Sequence, residues 1–256
     1  MRLDTLTLQV PNVARAMIFY TTVLGMTELE NNYVGYSETG LKLRFVKCNT
    51  ARKATSRDAY WKIGIVVKNL DHAFEYLKQQ HYRDEGIECS KPSQFLDIGY
   101  LCHLRDPAGL GIELLQQGFE GKHETVDGDS HPIGGQATLA HITIRVSDLE
   151  KTKAWCEETM NMRLVSIQNV ELYSFTLYFY TWSDEELPNE SSLEAVENRA
   201  WLWGRPYAML ELQHVDEKGG SSILRPTAPG EAGPTKILCR SDEKEIEIDC
   251  NAELGL

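Results

Sequence analysis

Three glutamates lie between aliphatic residues at matching places in the chain, which is an unusual setting for a charged side chain. The three triplets are Ile112-Glu113-Leu114, Leu210-Glu211-Leu212 and Ile246-Glu247-Ile248. An ionised carboxylate in a core strand is costly unless it pairs with a cation or coordinates a metal. The triplets therefore predict that each carboxylate has such a partner.

A strand pattern recurs upstream of these glutamates, at residues 3–12, 61–70 and 139–148. Aliphatic and polar residues alternate in it, which is typical of a strand with one polar face. In a curved sheet, the polar positions of the first and last strands of each unit line the concave side. The first-strand positions are Thr5, Lys62 and His141, and the last-strand positions are Arg44, Glu113, Glu211 and Glu247.

The repeats predict the architecture, because self-similarity at a fixed order of elements reflects repeated structural units. Residues 3–48, 60–116 and 138–215 each follow the order of one strand, one helix and two or three strands. The segments 235–240 and 245–249 suffice only for the first and last strands of a fourth unit. We therefore predict an α+β fold of tandem βαβββ units.

Two such units can close one curved sheet, which predicts two consecutive domains. The first is expected at residues 1–118 and the second at 138–256, the latter shortened at its C-terminal end. Residues 119–137, rich in glycine and without periodicity, are expected to be the linker. The shortened unit would leave a sheet edge uncovered, so we expect the first domain or a second chain, in a homodimer, to cover it.

The composition excludes several classes of protein. A formal net charge of −12 argues against a nucleic-acid binder, which needs a basic surface. No apolar run approaches the length of about 20 residues that crosses a bilayer, and no apolar leader follows Met1. The six cysteines show no paired spacing, so we expect reduced thiols and a cytoplasmic protein.

The chain resembles the vicinal oxygen chelate superfamily, which includes glyoxalase I, bleomycin-resistance proteins and extradiol dioxygenases. The resemblance is sharpest to glyoxalase I-like proteins. It rests on residues 141–150, 175–179 and 205–214, and on the turn Asp106-Pro107-Ala108-Gly109 before Glu113. The resemblance implies a divalent metal in the cleft, held by a His or Gln on each first strand and a Glu on each last strand.

Carried over residue by residue, the resemblance implies a metal site in the C-terminal domain. His141, Glu211 and Glu247 match ligand positions there, and one imidazole with two carboxylates suits Zn²⁺, Ni²⁺ or Fe²⁺. Glu211 or Glu247 would also be the catalytic base. The fourth position falls on Thr235 or Lys236, which fits poorly. An ion pair of Glu211 with Arg145 or Arg205 and a merely exposed Glu247 are the structural alternatives.

The N-terminal domain is expected to hold no metal. Arg44 and Lys62 occupy two of its four ligand positions, with Thr5 at a third, and a cationic side chain repels a divalent ion. Glu113, at the fourth, is expected to be neutralised by Lys62 or Arg44.

The resemblance implies a metal-dependent lyase or isomerase acting on a small oxygen-bearing substrate, for which a glutathione hemithioacetal is one candidate. A second hypothesis is a non-catalytic binding protein that has lost the metal and binds an anionic or aromatic small molecule. A third is a dioxygenase-like enzyme, which would need a second His ligand. Proteins of this fold carry out many different reactions, so the fold alone does not distinguish the three hypotheses.

Overall fold

A computed structural model describes residues 1–80, 89–121, 130–215 and 224–250 of the 256-residue chain. Its strands are β1 Arg2–Val10, β2 Thr27–Leu29, β3 Tyr33–Gly35, β4 Lys42–Lys47, β5 Tyr60–Val67, β6 Ser93–Phe95, β7 Gly99–Arg105, β8 Gly111–Gln116, β9 Thr138–Val146, β10 Arg163–Val170, β11 Phe175–Thr181, β12 Met209–Val215, β13 Gly233–Arg240 and β14 Glu245–Asp249. Its α-helices are α1 Val13–Ile18, α2 Leu70–Gln79, α3 Leu149–Ala154 and α4 Val196–Leu202. No helix among these residues combines the length and apolar character needed to cross a membrane.

The helices of the three units begin at equivalent polar residues. Asn12, Asn69 and Asp148 each accept a hydrogen bond through the side chain from the backbone N–H three residues later. Such a cap satisfies an N–H group that the first helical turn leaves without a partner. Each strand is thereby followed by a helix at the same point, which confirms the predicted repeat of strand, helix and strands.

The strands form two sheets, and the α+β class with tandem βαβββ units is confirmed. The first sheet has six strands in the order β14-β13-β1-β4-β3-β2, and the second has eight in the order β10-β11-β12-β9-β5-β8-β7-β6. Alternate residues on the first strands, including Leu6, Leu8, Ile63, Ile142 and Ile144, are fully buried as the period-two pattern predicts.

The sheets do not follow the expected division of the chain near residue 118. Residues 3–116 do not close one sheet, because β5 of the second unit pairs antiparallel with β9 of the third. The edge of β1 that faces away from β4 is occupied by β13, which pairs with it antiparallel. The expectation of one sheet from the first two units is therefore wrong. The expected linker, 119–137, lies partly outside the described residues, at 122–129.

The shortened fourth unit is covered by the first unit, which is one of the two ways we expected. Its β13 and β14 form a hairpin on β1, and β14 is the outer strand of the six-stranded sheet. This outer strand carries Glu245, Glu247 and Asp249, all exposed or partly exposed. Charges on an edge strand oppose pairing with another chain.

A buried ion network joins the loop after β4 to the segment that enters β13. Asp58 is 1% exposed and receives Arg52 Nε at 3.1 Å on one oxygen and Arg225 Nη2 at 2.7 Å on the other. Arg225 also contacts Glu231 at 2.8 Å. Burial alone would raise the pKa of Asp58, but hydrogen bonds from Thr55, Arg52 and Arg225, together with the charge of Arg52, hold it below its usual value.

We expect Asp58→Asn to lower the free energy of unfolding by about 3 kcal/mol, because Arg52 would remain buried without its counter-charge. The lowered pKa means that the carboxylate stabilises the fold above about pH 4 and loses this effect as the pH falls through its folded value. The difference in the free energy of unfolding between parent and Asp58→Asn, measured with urea, should therefore become smaller as the pH is lowered.

The matched control is Glu245→Gln in the pair Arg240–Glu245, whose side chains are 46% and 56% exposed. Exposed pairs contribute at most about 1 kcal/mol, so this variant should unfold almost as the parent does. Equal losses of unfolding free energy in the two variants would show that the ion network around Asp58 does not stabilise the fold more than an exposed ion pair does.

Candidate metal centre

Four adjacent strands at the centre of the eight-stranded sheet carry the candidate site. In the order β12-β9-β5-β8 they present Glu211, His141, Lys62 and Glu113. Two of these strands belong to the second unit and two to the third. The polar residues that line this cleft therefore come from both sides of the expected domain boundary.

Gly64 makes room for the imidazole at the middle of this arrangement. It pairs with His141 on β9 and with Glu113 on β8, so it lies between the two in the sheet. A Cβ atom at this glycine would lie 2.0 Å from His141 Cε1 and 2.2 Å from Nε2. Because Gly64 has no side chain, His141 can lie across β5 and approach Glu113.

The imidazole of His141 lies between two carboxylates. Its Nε2 atom is 3.3 Å from Oε2 of Glu113 and 3.2 Å from Oε2 of Glu211. The three side chains are 0%, 4% and 1% exposed, in the order His141, Glu113, Glu211. One ligand atom from each lies within 4.8 Å of the others.

Two buried atoms of this cluster have neither a hydrogen-bond partner nor an ion-pair contact among the residues that the structure describes. They are Nδ1 of His141 and Oε1 of Glu211. A buried polar atom without a partner is costly, and most such atoms in native proteins are satisfied by protein, water or an ion. One imidazole and two carboxylates are donors that Zn²⁺, Ni²⁺ and Fe²⁺ accept. The donor set therefore fits a single divalent ion.

Glu113 differs from Glu211 because Lys62 and His103 engage its other oxygen. Lys62 Nζ forms an ion pair with Oε1 of Glu113, and His103 Nε2 lies 2.9 Å from the same oxygen. Burial alone would raise the pKa of Glu113, but Lys62, followed by His103 and His141, holds it well below its usual range. Glu113 is therefore a carboxylate with one oxygen engaged by Lys62 and the other facing His141.

Trp61 supports the cationic side of the cluster. The Lys62 ammonium lies 4.2 Å from the centroid of the indole ring, and the guanidinium carbon of Arg145 lies 4.8 Å from it. The imidazole of His103 stacks on the same ring at 6.0 Å. Attraction between cations and an indole face stabilises such an arrangement.

A largely apolar cavity of about 220 Å³ opens above the cluster. Its floor carries four polar side chains, Lys62, His103, Glu113 and Glu211. Its walls are aromatic or aliphatic and consist of Trp61, Phe95, Ile98, Leu101, Tyr173, Phe175, Leu177, Phe179 and Trp203. A concave apolar site with a few convergent polar groups is the usual form of a small-molecule site.

The structure brings His141 and Glu211 together, as the sequence predicted. It does not bring Glu247 to them: this residue lies on the other sheet, is 56% exposed and pairs with Lys236. The expected cluster of His141, Glu211 and Glu247 is therefore not formed. The alternative ion pair of Glu211 with Arg145 or Arg205 is not observed either: Arg145 donates a hydrogen bond to Gln213, and Arg205 forms an ion pair with Glu185.

Glu113 is the residue whose place the sequence analysis missed. The expected contact with Lys62 exists, but the cleft is shared with the third unit, and Glu113 stands where Glu247 was expected. Arg44 and Thr5 lie on the six-stranded sheet, where Arg44 covers the Tyr33 ring and Thr5 bonds to Asp4. The triplet around Glu113 indicated that this carboxylate has a partner. The pairing of β5 with β9 shows that His141 is one of its neighbours.

Comparisons with known proteins agree with this fold. Residues 2–114 match the model of the Glyoxalase/Bleomycin resistance protein/Dioxygenase superfamily. Glyoxalase I from Zea mays is 16% identical with a TM-score of 0.61, over 92% of this chain and 73% of that chain. A candidate dioxygenase from Bacillus subtilis is 17% identical with a TM-score of 0.52, over 93% and 69%. No curated protein matches the sequence. The resemblance predicted from the motifs is confirmed, and at these identities the two structures show the fold alone.

We expect Gly64→Ala to weaken binding of Zn²⁺ by at least about tenfold, as loss of a group that orients a ligand commonly does. The new methyl group would overlap the His141 ring and displace it from both carboxylates. Isothermal titration of the metal-free protein measures the effect.

The control is Gly204→Ala, where a Cβ atom meets its nearest neighbour at an ordinary 3.5 Å. This variant should bind Zn²⁺ as the parent does. Unchanged affinity in Gly64→Ala would mean that the position of His141 does not matter for metal binding.

Proposed function

Since residues 2–114 match the glyoxalase, bleomycin-resistance and dioxygenase superfamily, we propose that this chain is a metal-dependent lyase or isomerase of the glyoxalase type. Glu113, His141 and Glu211 are the proposed ligands of one divalent ion. The observation that carries the proposal is the buried imidazole between two carboxylates, both of which line an apolar cavity.

The bound ion would stabilise negative charge that develops on a substrate oxygen, which is the main contribution of a metal to such chemistry. Glu211 is the better proposed base, because it lines the cavity and its Oε1 has no hydrogen-bond partner among the described residues. The corresponding oxygen of Glu113 is engaged by Lys62 and His103. Glu211 would therefore accept a proton from a carbon next to the bound oxygen.

The size and lining of the cavity favour a compact substrate with an apolar body. A buried cavity of about 150 Å³ accommodates benzene, so about 220 Å³ suits a substituted ring or a short branched chain. A glutathione hemithioacetal would have to leave its peptide part outside this cavity. Lys62, the lysine that lines the cavity, is already engaged by Glu113 and is not free to pair with a peptide carboxylate. We propose a small carbonyl or hydroxycarbonyl compound instead.

One observation favours the second hypothesis, a binding protein without metal. The ammonium of Lys62 supplies a permanent positive charge to the cluster, and it could replace part of the charge of a metal. Affinity for metal separates the two functions, since a binding protein would not need it.

We expect His141→Ala and Glu211→Gln each to weaken Zn²⁺ or Ni²⁺ binding by at least about a hundredfold, because the first removes one of three donors and the second replaces an anionic donor with a neutral amide. Glu113→Gln should weaken it as well. Isothermal titration with each metal, supported by elemental analysis of the protein as purified, gives the affinity and the stoichiometry.

Glu247→Gln is the control, because this carboxylate also lies between two aliphatic residues but belongs to the other sheet. It should leave metal binding unchanged. If the parent binds neither ion, or if Glu247→Gln weakens binding as strongly as Glu211→Gln, the proposed centre is wrong.

A further test concerns Lys62. We expect Lys62→Gln to strengthen binding of a divalent ion by about tenfold or more, because a fixed positive charge at short range opposes a second cation. The same variant should lower the stability of the metal-free protein, since Glu113 would be buried without a counter-charge.

Lys236→Gln, which removes the exposed partner of Glu247, is the matched control and should change neither quantity. Weaker metal binding in Lys62→Gln would indicate that Lys62 supports the site and does not compete with the ion.

A further inference from the structure

Two cysteine sulfur atoms face each other at the outer part of the eight-stranded sheet. Cys102 lies on β7 and is 1% exposed, whereas Cys89 precedes β6 and is partly exposed. Their Sγ atoms are 3.9 Å apart, and either thiol can donate a hydrogen bond to the other. Formation of a disulfide would require the sulfurs to approach by about 2 Å.

The backbone holds the two sulfurs in this position. Ser90 N donates to the carbonyl oxygen of His103 at 2.8 Å, and His103 N donates to Ser90 Oγ at 2.9 Å. These bonds fix the residues next to both cysteines beside each other. These two hydrogen bonds therefore keep the backbone at Cys89 beside that at Cys102.

The other four cysteines lack this combination of access and a nearby thiol. Cys48, Cys156, Cys239 and Cys250 are 7%, 0%, 0% and 3% exposed. Burial raises the pKa of Cys156 and of Cys239 to about 12, which suppresses the reactive thiolate. The Cys102 thiol lowers the pKa of Cys89, in opposition to burial. Cys89 is thus the one cysteine of the chain that combines partial exposure with a favoured thiolate.

We propose that Cys89 and Cys102 form a reversible disulfide when the protein encounters a hydroperoxide. The Cys89 thiolate attacks one peroxide oxygen, the O–O bond breaks, and the Cys89 sulfur becomes a sulfenic acid while an alcohol or water leaves. The Cys102 sulfur then attacks the Cys89 sulfur, the S–O bond breaks, and the hydroxyl leaves as water with the Cys102 proton. Two electrons pass from the sulfurs to the peroxide, and a dithiol reductant restores both thiols.

The proposed disulfide lies close to the cavity described above. Cys102 is followed by His103, whose imidazole contacts Glu113 at the cavity floor. The disulfide would covalently tie the segment before β6 to β7 one residue from that contact. This proposal does not depend on the metal-dependent function, since it rests on the thiols alone.

The test treats the full-length protein with hydrogen peroxide, blocks free thiols and maps the peptides by mass spectrometry. We expect a fall from six free thiols to four, and one linked pair of peptides that contain Cys89 and Cys102. Dithiothreitol should reverse the change. Hydrogen exchange at the Ser90 amide should also slow in the oxidised protein, because the disulfide would stabilise the hydrogen bond from Ser90 N to the carbonyl oxygen of His103 on β7.

Three variants make the result specific. Cys89→Ser should lose thiols at least about tenfold more slowly, because the remaining sulfurs are buried. Cys102→Ala should accumulate a Cys89 sulfenic acid that dimedone traps, and Cys156→Ser should behave as the parent. Circular dichroism verifies that each variant folds. Equal oxidation of all six cysteines, or a parent protein that stops at a Cys89 sulfenic acid, would overturn the proposal.

Discussion

The buried imidazole of His141 between Glu113 and Glu211 is the constraint on which the centre of the eight-stranded sheet depends. Three polar side chains without access to water can share one site only if their charges and lone pairs are balanced. Lys62 neutralises the charge of Glu113. Gly64 has no side chain and therefore leaves the space that the imidazole occupies. Oε1 of Glu211 has no hydrogen-bond partner among the described residues, and a divalent ion held by the cluster would satisfy it.

The site exists because the strands pair in a particular way. When β13 takes the outer edge of β1, the edge of β5 is left for β9, and units two and three share one sheet. That pairing places Glu113 beside His141, although the two residues belong to different repeats. The exposed acidic strand β14 then closes the other sheet and takes no part in the cluster.

Much of the fold could be predicted because its signals are local. Alternation of aliphatic and polar residues predicts β1, β5 and β9, and the capping residues Asn12, Asn69 and Asp148 mark the helices that follow. His141 and Glu211 could be predicted as neighbours because both lie in one βαβββ unit. Lys62 and Glu113 could be predicted as a pair for the same reason.

The place of Glu113 and that of Glu247 could not be predicted, because both depend on which edge of β1 is free. That choice is a competition between distant strands, and no local sequence pattern records it. The two glutamates lie in almost identical triplets, yet one lies on an inner strand and the other on an edge strand. Burial and cross-sheet neighbours distinguish them, and both are properties of the folded chain.

The most direct measurement is the anomalous difference density of a crystal of the protein grown with Zn²⁺. We expect one strong peak about 2.0–2.2 Å from a His141 nitrogen and from oxygens of Glu113 and Glu211. A cluster without density, with the Lys62 ammonium as its sole cation, would contradict the proposed metal centre, as would a peak held by Glu247 on the other sheet.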